Sequence, residues 1–384
     1  MYFRSITAFC AALLCVGAAH AIQDCELNGE SVNPNNGNTT AGKTGLMRCK
    51  DRDSGQLARE QELQNGRFMG LDRYYQKGKL QRERNVNERG NNHGLMRDFA
   101  PDGTVLYQAT YDNGSEVGLT RRNHPSGALQ RATYYSGSNQ GELAYAELTP
   151  RGQLRRLRCG DKPLLAPLVD DAKLCGFGSS PAPVEMFNDA GVLQMRARYA
   201  NGQRLRLEEL YPNGQPERVE EIKDGQRSER RFAEDGVLRA ELQWQLDGKT
   251  SSKTLEREFS ERGSLVREQK WAERRAVSDA SFYLNGQPKN RALYSRDGNT
   301  EYADETAFYD NGKPSRTGRY IQADRYNQTP VGTHQSFNQQ GKLVGEAIYD
   351  NRGRISRERE WDDAGKLLSD EEVFEDGSRK AYAK

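Results

Sequence analysis

The sequence predicts an all-β fold: a repetitive array of antiparallel β-hairpins that forms an elongated, twisted sheet in two lobes. Three patterns predict it, namely a recurring glycine landmark, turn dipeptides typical of hairpins, and strands in which apolar and polar residues alternate. Together these patterns indicate about a dozen strand-turn-strand units, each 22 to 29 residues long.

The glycine landmark is Gly-x-Leu, with Val or Pro in place of Leu in some copies. Successive copies lie 22 to 29 residues apart, except for one interval of 39 residues. Near the end of the sequence the spacing halves to 12 residues, which suits one strand plus one tight turn. The landmark glycines are Gly55, Gly78, Gly103, Gly127, Gly152, Gly191, Gly214, Gly236, Gly263, Gly286, Gly312, Gly341 and Gly365.

The turn dipeptides are Asn-Gly and Asp-Gly, which favour hairpins because both residues tolerate positive φ. Between turns, every second residue is apolar, as in Leu238, Ala240, Leu242 and Trp244, so each strand has one apolar face. A β-sandwich would show the same alternation, but the regular landmarks favour a repeat array. The dipeptides are Asn113-Gly114, Asn201-Gly202, Asn213-Gly214, Asp224-Gly225, Asp235-Gly236, Asn285-Gly286, Asp297-Gly298 and Asn311-Gly312.

The composition indicates a thin structure with little core. Only 35% of residues are hydrophobic and 29% are charged, with a mean hydropathy of −0.95. The 18 Tyr, 12 Phe and 3 Trp nevertheless argue against disorder. Because the net charge is +2 and arginines are mixed with acids, the sequence carries no basic footprint of a nucleic-acid-binding protein.

The first residues indicate export. Residues 1–21 read as a signal peptide, with Arg4 in a positive segment, an apolar stretch, and cleavage after Ala21. No later apolar stretch is long enough for a membrane anchor, so a periplasmic protein is expected. The remaining organisation is predicted as an N-terminal cap (22–54), a repeat lobe (55–158), a junction (159–185) and a second repeat lobe (186–384).

Four cysteines remain after the predicted signal peptide, and an oxidising compartment predicts two disulfides between them. Three pairings are possible. Pairing Cys25 with Cys49 and Cys159 with Cys175 is favoured because each bond then closes a short loop. A zinc site is not expected, since no two of these cysteines form a C-x-x-C pair.

The junction at 159–185 interrupts the repeat with an apolar, proline-containing run. One interpretation is a disulfide-stapled seam between two lobes. Another is a partner-binding loop, in which exposed apolar side chains act as anchors. The two interpretations are compatible. The proposed anchors are Leu164, Leu165, Leu168 and Phe177.

No motif for catalysis, metal binding or cofactor binding appears in the sequence. His93, His124 and His334 are far apart and accompany no hydrolase or metalloprotease motif. Adjacent acids such as Glu220 and Glu221 point to opposite faces of a strand, so they do not form a facing pair. A non-enzymatic protein without cofactors is expected, although motif searches miss sites that only the fold assembles.

Several units have the form Tyr-x-Asn-Gly, beginning at Tyr111, Tyr199, Tyr211 and Tyr309, with a longer version at Tyr349. Over residues 50–384 these units resemble the variant MORN repeats of the YwqK-type antitoxin family. The resemblance implies a MORN-like hairpin array that inhibits a partner protein. In this sequence Phe232, Trp361 and Phe374 stand where the family pattern has Tyr.

The expected function is therefore protein binding: a periplasmic immunity protein that covers the active site of a secreted toxin, with a lipase effector of a type VI system favoured. An envelope scaffold or a lipid-surface protein is the alternative. An interface rich in aromatic residues and arginine is typical of binding hot spots. The aromatic residues proposed to contact the partner are Trp244, Trp271 and Trp361.

Overall fold

The computed structural model describes residues 23–137, 141–178, 180–248, 250–322 and 327–383. The predicted signal peptide lies outside these residues. The chain divides into two compact units, with the division between Gly152 and Asp171, and each unit contains one large antiparallel sheet. The expected all-β fold of hairpin repeats in two lobes is confirmed.

The first sheet has 12 strands among the described residues, in the order β12-β11-β10-β9-β8-β7-β6-β5-β4-β3-β1-β2. The segment predicted as a cap supplies its first three strands and a short helix, α1 (Gly37–Thr40). The strands are β1 (Gln23–Leu27), β2 (Glu30–Val32), β3 (Gly45–Asp51), β4 (Leu57–Gln64), β5 (Arg67–Gln76), β6 (Lys79–Val86), β7 (Asn92–Phe99), β8 (Val105–Asp112), β9 (Ser115–Asn123), β10 (Leu129–Ser136), β11 (Glu142–Leu148) and β12 (Leu154–Arg158).

The second sheet follows the helix α2 (Asp171–Leu174) and is a meander in which each strand pairs with the next. Its described strands are β13 (Ala182–Phe187), β14 (Leu193–Ala200), β15 (Gln203–Leu210), β16 (Pro216–Lys223), β17 (Gln226–Phe232), β18 (Leu238–Asp247), β19 (Thr250–Phe259), β20 (Leu265–Ala272), β21 (Arg275–Phe282), β22 (Pro288–Asp297), β23 (Thr300–Phe308), β24 (Pro314–Gln322), β25 (Gln328–Phe337), β26 (Leu343–Tyr349), β27 (Ile355–Trp361), β28 (Leu367–Val373) and β29 (Arg379–Ala383).

Apolar burial is concentrated at the start of each sheet. In the first sheet, Leu27, Met47 and Leu63 have at most 1% of their surface exposed and pack around the Cys25–Cys49 disulfide. In the second sheet, most side chains beyond β19 are half-buried or exposed. This distribution fits the low hydrophobic content, because a sheet without a thick core buries only small apolar patches.

Two kinds of turn join the strands. In two-residue turns such as Asn113-Gly114 and Asn201-Gly202, both residues have positive φ, as the dipeptides predict. At Asn213 and Asn311 the predicted hairpins also form, but these asparagines do not have positive φ. They belong to five-residue turns in which only the glycine is left-handed.

The five-residue turns bond to one another along one side of the second sheet. Asn213 Oδ1 accepts a hydrogen bond from the backbone N–H of Gln215 at 2.9 Å, and Asn213 Nδ2 donates to the carbonyl of Glu234 in the next turn, also at 2.9 Å. The Tyr211 hydroxyl donates to the carbonyl of Phe232 at 2.9 Å. Tyrosine and asparagine of the Tyr-x-Asn-Gly units are therefore structural in these turns.

Disulfides are present as predicted. Cys25 and Cys49 face each other across β1 and β3 and are bonded, and Cys159 and Cys175 are also disulfide-bonded, which gives two disulfides. No helix within the described ranges is long and apolar enough to cross a membrane.

Candidate binding face of the second sheet

One side of the second sheet combines aromatic residues, paired charges and a groove. Direct cross-strand pairing relates Glu229 to Leu242 on β17 and β18, and Asp279 to Ala292 on β21 and β22, so their side chains project to the same side. We call this side, which also carries Trp244, the groove face. It is the surface on which most of the chemically distinctive residues of the second unit lie.

Two tryptophans on this face lie beside cations. The Arg227 guanidinium lies 3.9 Å from the centre of the Trp244 ring, and Lys253 is the direct partner of Trp244 on β19. Lys253 Nζ in turn lies 4.9 Å from the Trp271 ring. Arg227, Trp244, Lys253 and Trp271 thus form an alternating series, the tryptophan ladder. Each cation is attracted to the negative face of an aromatic ring.

Ion pairs occupy the neighbouring part of the groove face. The Arg218 guanidinium contacts Glu209 at 2.6 Å and Glu229 at 3.5 Å, and the hydrogen bond from Arg218 lowers the pKa of Glu209. The Arg231 guanidinium also contacts Glu229, at 2.7 Å. These large paired side chains lie on the groove face of β15 to β17.

The groove begins where large side chains give way to small ones. A depression of about 880 Å³ extends across β20 to β27. Its volume lies within the range of small-ligand sites. The Arg267–Asp279 ion pair, at 2.7 Å, bounds one end, and Glu358 and Glu360 bound the other. The small residues of its lining are Ser281, Ala292, Ala307, Gly318, Ser336, Gly345 and Ala347.

Aromatic residues follow one side of the groove. Tyr294 and Tyr320 both pair directly with Ala303, which lies between them on β23 and is fully buried. The His334 ring lies 4.9 Å from Tyr320 and 4.6 Å from Tyr349, centre to centre. The ring occupies the space beside Gly318, where an added Cβ would come within 2.5 Å of His334 Nδ1.

The groove carries charges of both signs. Glu305 accepts a hydrogen bond from Gln328 at 2.8 Å and, within the described residues, has no ion pair. Arg316 is exposed and, within the described residues, has no carboxylate partner. Burial raises the pKa of Tyr294, with added repulsion from Asp279 and Glu305, and burial likewise raises the pKa of Tyr320. Both hydroxyls therefore stay protonated at neutral pH.

The structure brings two of the three proposed tryptophans together. Trp244 and Trp271 belong to the tryptophan ladder, but Trp361 lies on β27, seven strands beyond β20. Trp361 follows a register shift at the end of its strand, as Phe232 and Phe308 do in theirs. Its position is thus a repeated structural feature of the turns.

The proposed anchors of the junction are less accessible than expected. Leu165 has no exposed surface, so the expectation that it is an exposed anchor is wrong. Leu164, Leu168 and Phe177 are half-buried. Leu164, Leu165 and Leu168 belong to the first unit and Phe177 to the second. An apolar run next to a disulfide can be buried by its own unit, which sequence alone does not reveal.

Sequence reasoning missed the groove because small residues at alternate positions carry no motif. A detectable signal was nevertheless present: Gly318 on β24, and Gly345 and Ala347 on β26, are among the smallest residues of their strands, and Gly345 and Ala347 share one face. Within the described ranges, no group of three His, Cys, Asp or Glu side chains is arranged to hold a metal ion.

Comparison with known proteins identifies one repeat. Residues 92–113, which form the hairpin β7–β8, match the family described as the MORN repeat variant. Comparison with curated proteins gave no match.

Two solved structures are similar to this chain at low level. An S. aureus TarM mutant in complex with fondaparinux, α-GlcNAc-glycerol and UDP is 12% identical with a TM-score of 0.20, over 30% of this chain and 21% of that one. A TcdB2-TccC3-Cdc42 structure is 10% identical with a TM-score of 0.18, over 94% of this chain and 20% of that one. The chain spans about a fifth of the length of either protein.

Proposed function

We propose that this chain is a non-enzymatic protein-binding repeat protein, exported to the periplasm, where it acts as an immunity protein. Its partner is a secreted antibacterial toxin, with a lipase or phospholipase effector of a type VI system favoured. The repeat match at 92–113 and the hairpin architecture support the repeat-protein part of this proposal. The resemblance to antitoxin repeats supports the choice of partner.

The groove face is the observation that carries the proposal. It offers tryptophan, tyrosine and arginine side chains on an antiparallel sheet, and tryptophan, tyrosine and arginine are enriched among the residues that dominate the energetics of protein interfaces. The ladder residues Trp244 and Trp271 are half-buried, and their cations already hold the rings in place. Preorganised rings lose little conformational freedom on binding.

The proposed mechanism is inhibition by occlusion. A toxin loop near the active site would bury the tryptophan ladder, and the remaining sheet would exclude the toxin's substrate sterically. Arg227 contributes because its guanidinium lies against the Trp244 ring and, within the described residues, has no ion pair. A carboxylate of the partner would pair with it.

The test is capture followed by inhibition. The mature chain, residues 22–384, is used to capture partners from secretion-competent cells of its own species, and the captured enzyme is then assayed with and without added protein. A stoichiometric complex with an inhibited lipase or wall hydrolase is the expected result. Retention on anionic lipid vesicles without any inhibited enzyme would instead support the envelope-scaffold alternative.

Substitutions in the tryptophan ladder test whether it forms the interface with the toxin. Trp244→Ala and Trp271→Ala should each weaken the toxin complex by about 2 kcal/mol or more, the usual effect of a hot-spot truncation. Trp361→Phe is the matched control, because other turns carry Phe at that position. Trp244→Phe keeps an aromatic ring beneath Arg227 and tests whether loss of binding reflects misfolding. Unchanged affinity for the toxin in both alanine variants would show that the tryptophan ladder is not part of the interface.

A further inference from the structure

The aromatic side of the groove has a regular spacing. Tyr294, Tyr320 and Tyr349 lie on β22, β24 and β26, which are alternate strands of the sheet. Tyr294 and Tyr320 pair with the same residue of β23, so they are about 10 Å apart across the strands, since neighbouring strands are about 4.8 Å apart. The His334 ring lies 4.9 Å from Tyr320 and 4.6 Å from Tyr349, so those two tyrosine rings are no further apart than the sum of these distances.

This spacing matches one kind of ligand. An extended β-1,4-linked sugar chain repeats its geometry every disaccharide, at close to the same distance. The C–H groups on the flat face of a pyranose are weakly positive and pack against the negative face of an aromatic ring. In a sugar chain that lies across the strands, each disaccharide would therefore contact one tyrosine ring.

The polar groups of the groove fit a neutral polyhydroxylated ligand. Glu305 and Glu360 have no ion pair within the described ranges, and exposed Arg316 lies on the strand paired with that of Glu305. Acceptors and donors are thus present side by side, with charges nearly balanced, so the groove does not select a strongly charged ligand. Ring hydroxyls can donate to the carboxylates and accept from the guanidinium.

The small residues provide the necessary space. Gly345 pairs directly with Ser336, and Ala292 and Gly318 both pair with Glu305, so small side chains recur in the groove beside the tyrosines. Adding side-chain bulk at these positions would fill it.

We propose that the groove binds an extended, uncharged β-1,4-linked glycan, with one disaccharide at each of Tyr294, Tyr320 and Tyr349. This site is independent of any protein toxin, and its test does not require that partner. The binding mode predicts dependence on chain length, since a hexasaccharide reaches three tyrosines and a tetrasaccharide two.

The experiment titrates the mature protein with four sugars and measures binding by calorimetry or NMR. The sugars are the hexamer and tetramer of β-1,4-linked N-acetylglucosamine, cellohexaose, and maltohexaose. Saturable binding of a β-1,4-linked hexamer, tighter than that of the tetramer, is expected. Maltohexaose has α-1,4 linkages and a coiled shape, so it should not bind. The two β-1,4 hexamers distinguish a ligand that needs N-acetyl groups from one that needs only the linkage.

Variants test the role of the rings. Tyr294→Leu and Tyr349→Leu should each weaken hexamer binding about fivefold or more, as loss of an aromatic contact does. Tyr294→Phe should bind nearly as wild type, which separates stacking from folding. Tyr302→Leu is the matched control, because Tyr302 is on the opposite face of β23, where its ring lies 5.3 Å from the Arg319 guanidinium.

Three results would overturn the proposal. The first is the absence of saturable binding by either β-1,4-linked hexamer. The second is equal binding of maltohexaose, which would show that the spacing is irrelevant. The third is equal weakening by Tyr302→Leu and Tyr294→Leu, which would show that the effect is a general loss of stability.

Discussion

Asp72 is the residue on which the ionic network of the first sheet centres. Its carboxylate has no exposed surface and accepts from Arg59 Nε at 3.0 Å and from Arg84 at 2.9 Å. Both guanidinium groups also lie over the Tyr74 ring, at 5.0 and 5.5 Å. The two arginines are close together only because this buried carboxylate balances their charges.

Replacing Asp72 with Asn should destabilise the protein by about 3 kcal/mol, because it leaves two half-buried cations without their counter-charge. Asp98→Asn is the matched control: Asp98 pairs with a more exposed arginine, Arg82, and should contribute about 1 kcal/mol or less. Urea unfolding followed by circular dichroism measures both. Equal losses in the two variants would contradict the central role of Asp72.

Tyr75 predicts how stability changes in alkaline solution. Burial and its 2.6 Å hydrogen bond to Glu60 raise the pKa of Tyr75 to about 12, from an ordinary value near 10. Between these values the unfolded chain loses the proton while the folded protein keeps it. Stability from this group is therefore complete below about pH 10 and falls as the pH rises toward about 12.

Tyr75→Phe should reduce the loss of stability between about pH 10 and 12 and lower stability at pH 8 by about 1 kcal/mol, the value of one hydrogen bond. Thermal unfolding at several pH values measures the difference. If wild type and variant lose stability in parallel over this range, the alkaline effect belongs to other groups.

At this scale the sequence predicted residue types better than residue roles. Trp244 and Trp271 could be singled out as aromatic candidates for partner contact, but their shared partner Lys253 depends on strand register. Leu165 reads as an anchor in sequence because its neighbours are apolar, yet it is buried. Whether an apolar side chain faces solvent or its own unit is a property of packing, which a single sequence does not specify.

At the scale of elements, the dipeptide Asn-Gly occurs in two kinds of turn, in which the asparagine has different roles. Asn201 has φ of 48° in a two-residue turn, where a left-handed conformation costs a non-glycine residue about 1 kcal/mol. Asn213 is not left-handed, and its side chain bonds to the next turn. The two asparagines should therefore respond oppositely to glycine.

Asn201→Gly should leave stability unchanged or raise it slightly, since glycine adopts positive φ without strain. Asn213→Gly should lower stability by about 1 to 2 kcal/mol, because it removes two side-chain hydrogen bonds and loosens the turn. Chemical denaturation of both variants provides the comparison. The same response in both would mean that the two turns are equivalent in solution.

The period and type of the elements were predictable, whereas the groove was not. Glycine spacing and Asn-Gly pairs reflect local backbone requirements, so they are visible in sequence and place the strands correctly. The groove arises because Ala292 and Gly318 both pair with Glu305, and Ala307 lies on the same face two residues from Glu305. That alignment depends on pairing register and on the register shifts near strand ends, such as the one before Phe308.

At the scale of the molecule, each sheet is a linear array in which a strand contacts mainly its neighbours. Such arrays have stability that is approximately the sum of local terms, so different regions can open separately. The described buried apolar residues of the second sheet are concentrated in β13 to β19, and beyond β19 they are Ala303 and Val331. Ion pairs such as Arg357–Asp370 replace apolar contacts in the later strands.

Hydrogen exchange under native conditions should therefore be uneven within the second sheet. Amides of β14 to β18 should exchange more slowly than those of β26 to β29, because opening the early strands exposes more buried apolar surface. Leu242→Ala, at a site with 6% exposure, should speed exchange in β17 to β19 and leave β27 and β28 unchanged. Mass spectrometry of peptic fragments measures both effects. If all strands exchange together, and Leu242→Ala accelerates every fragment equally, the sheet unfolds as one cooperative unit, and the additive description fails.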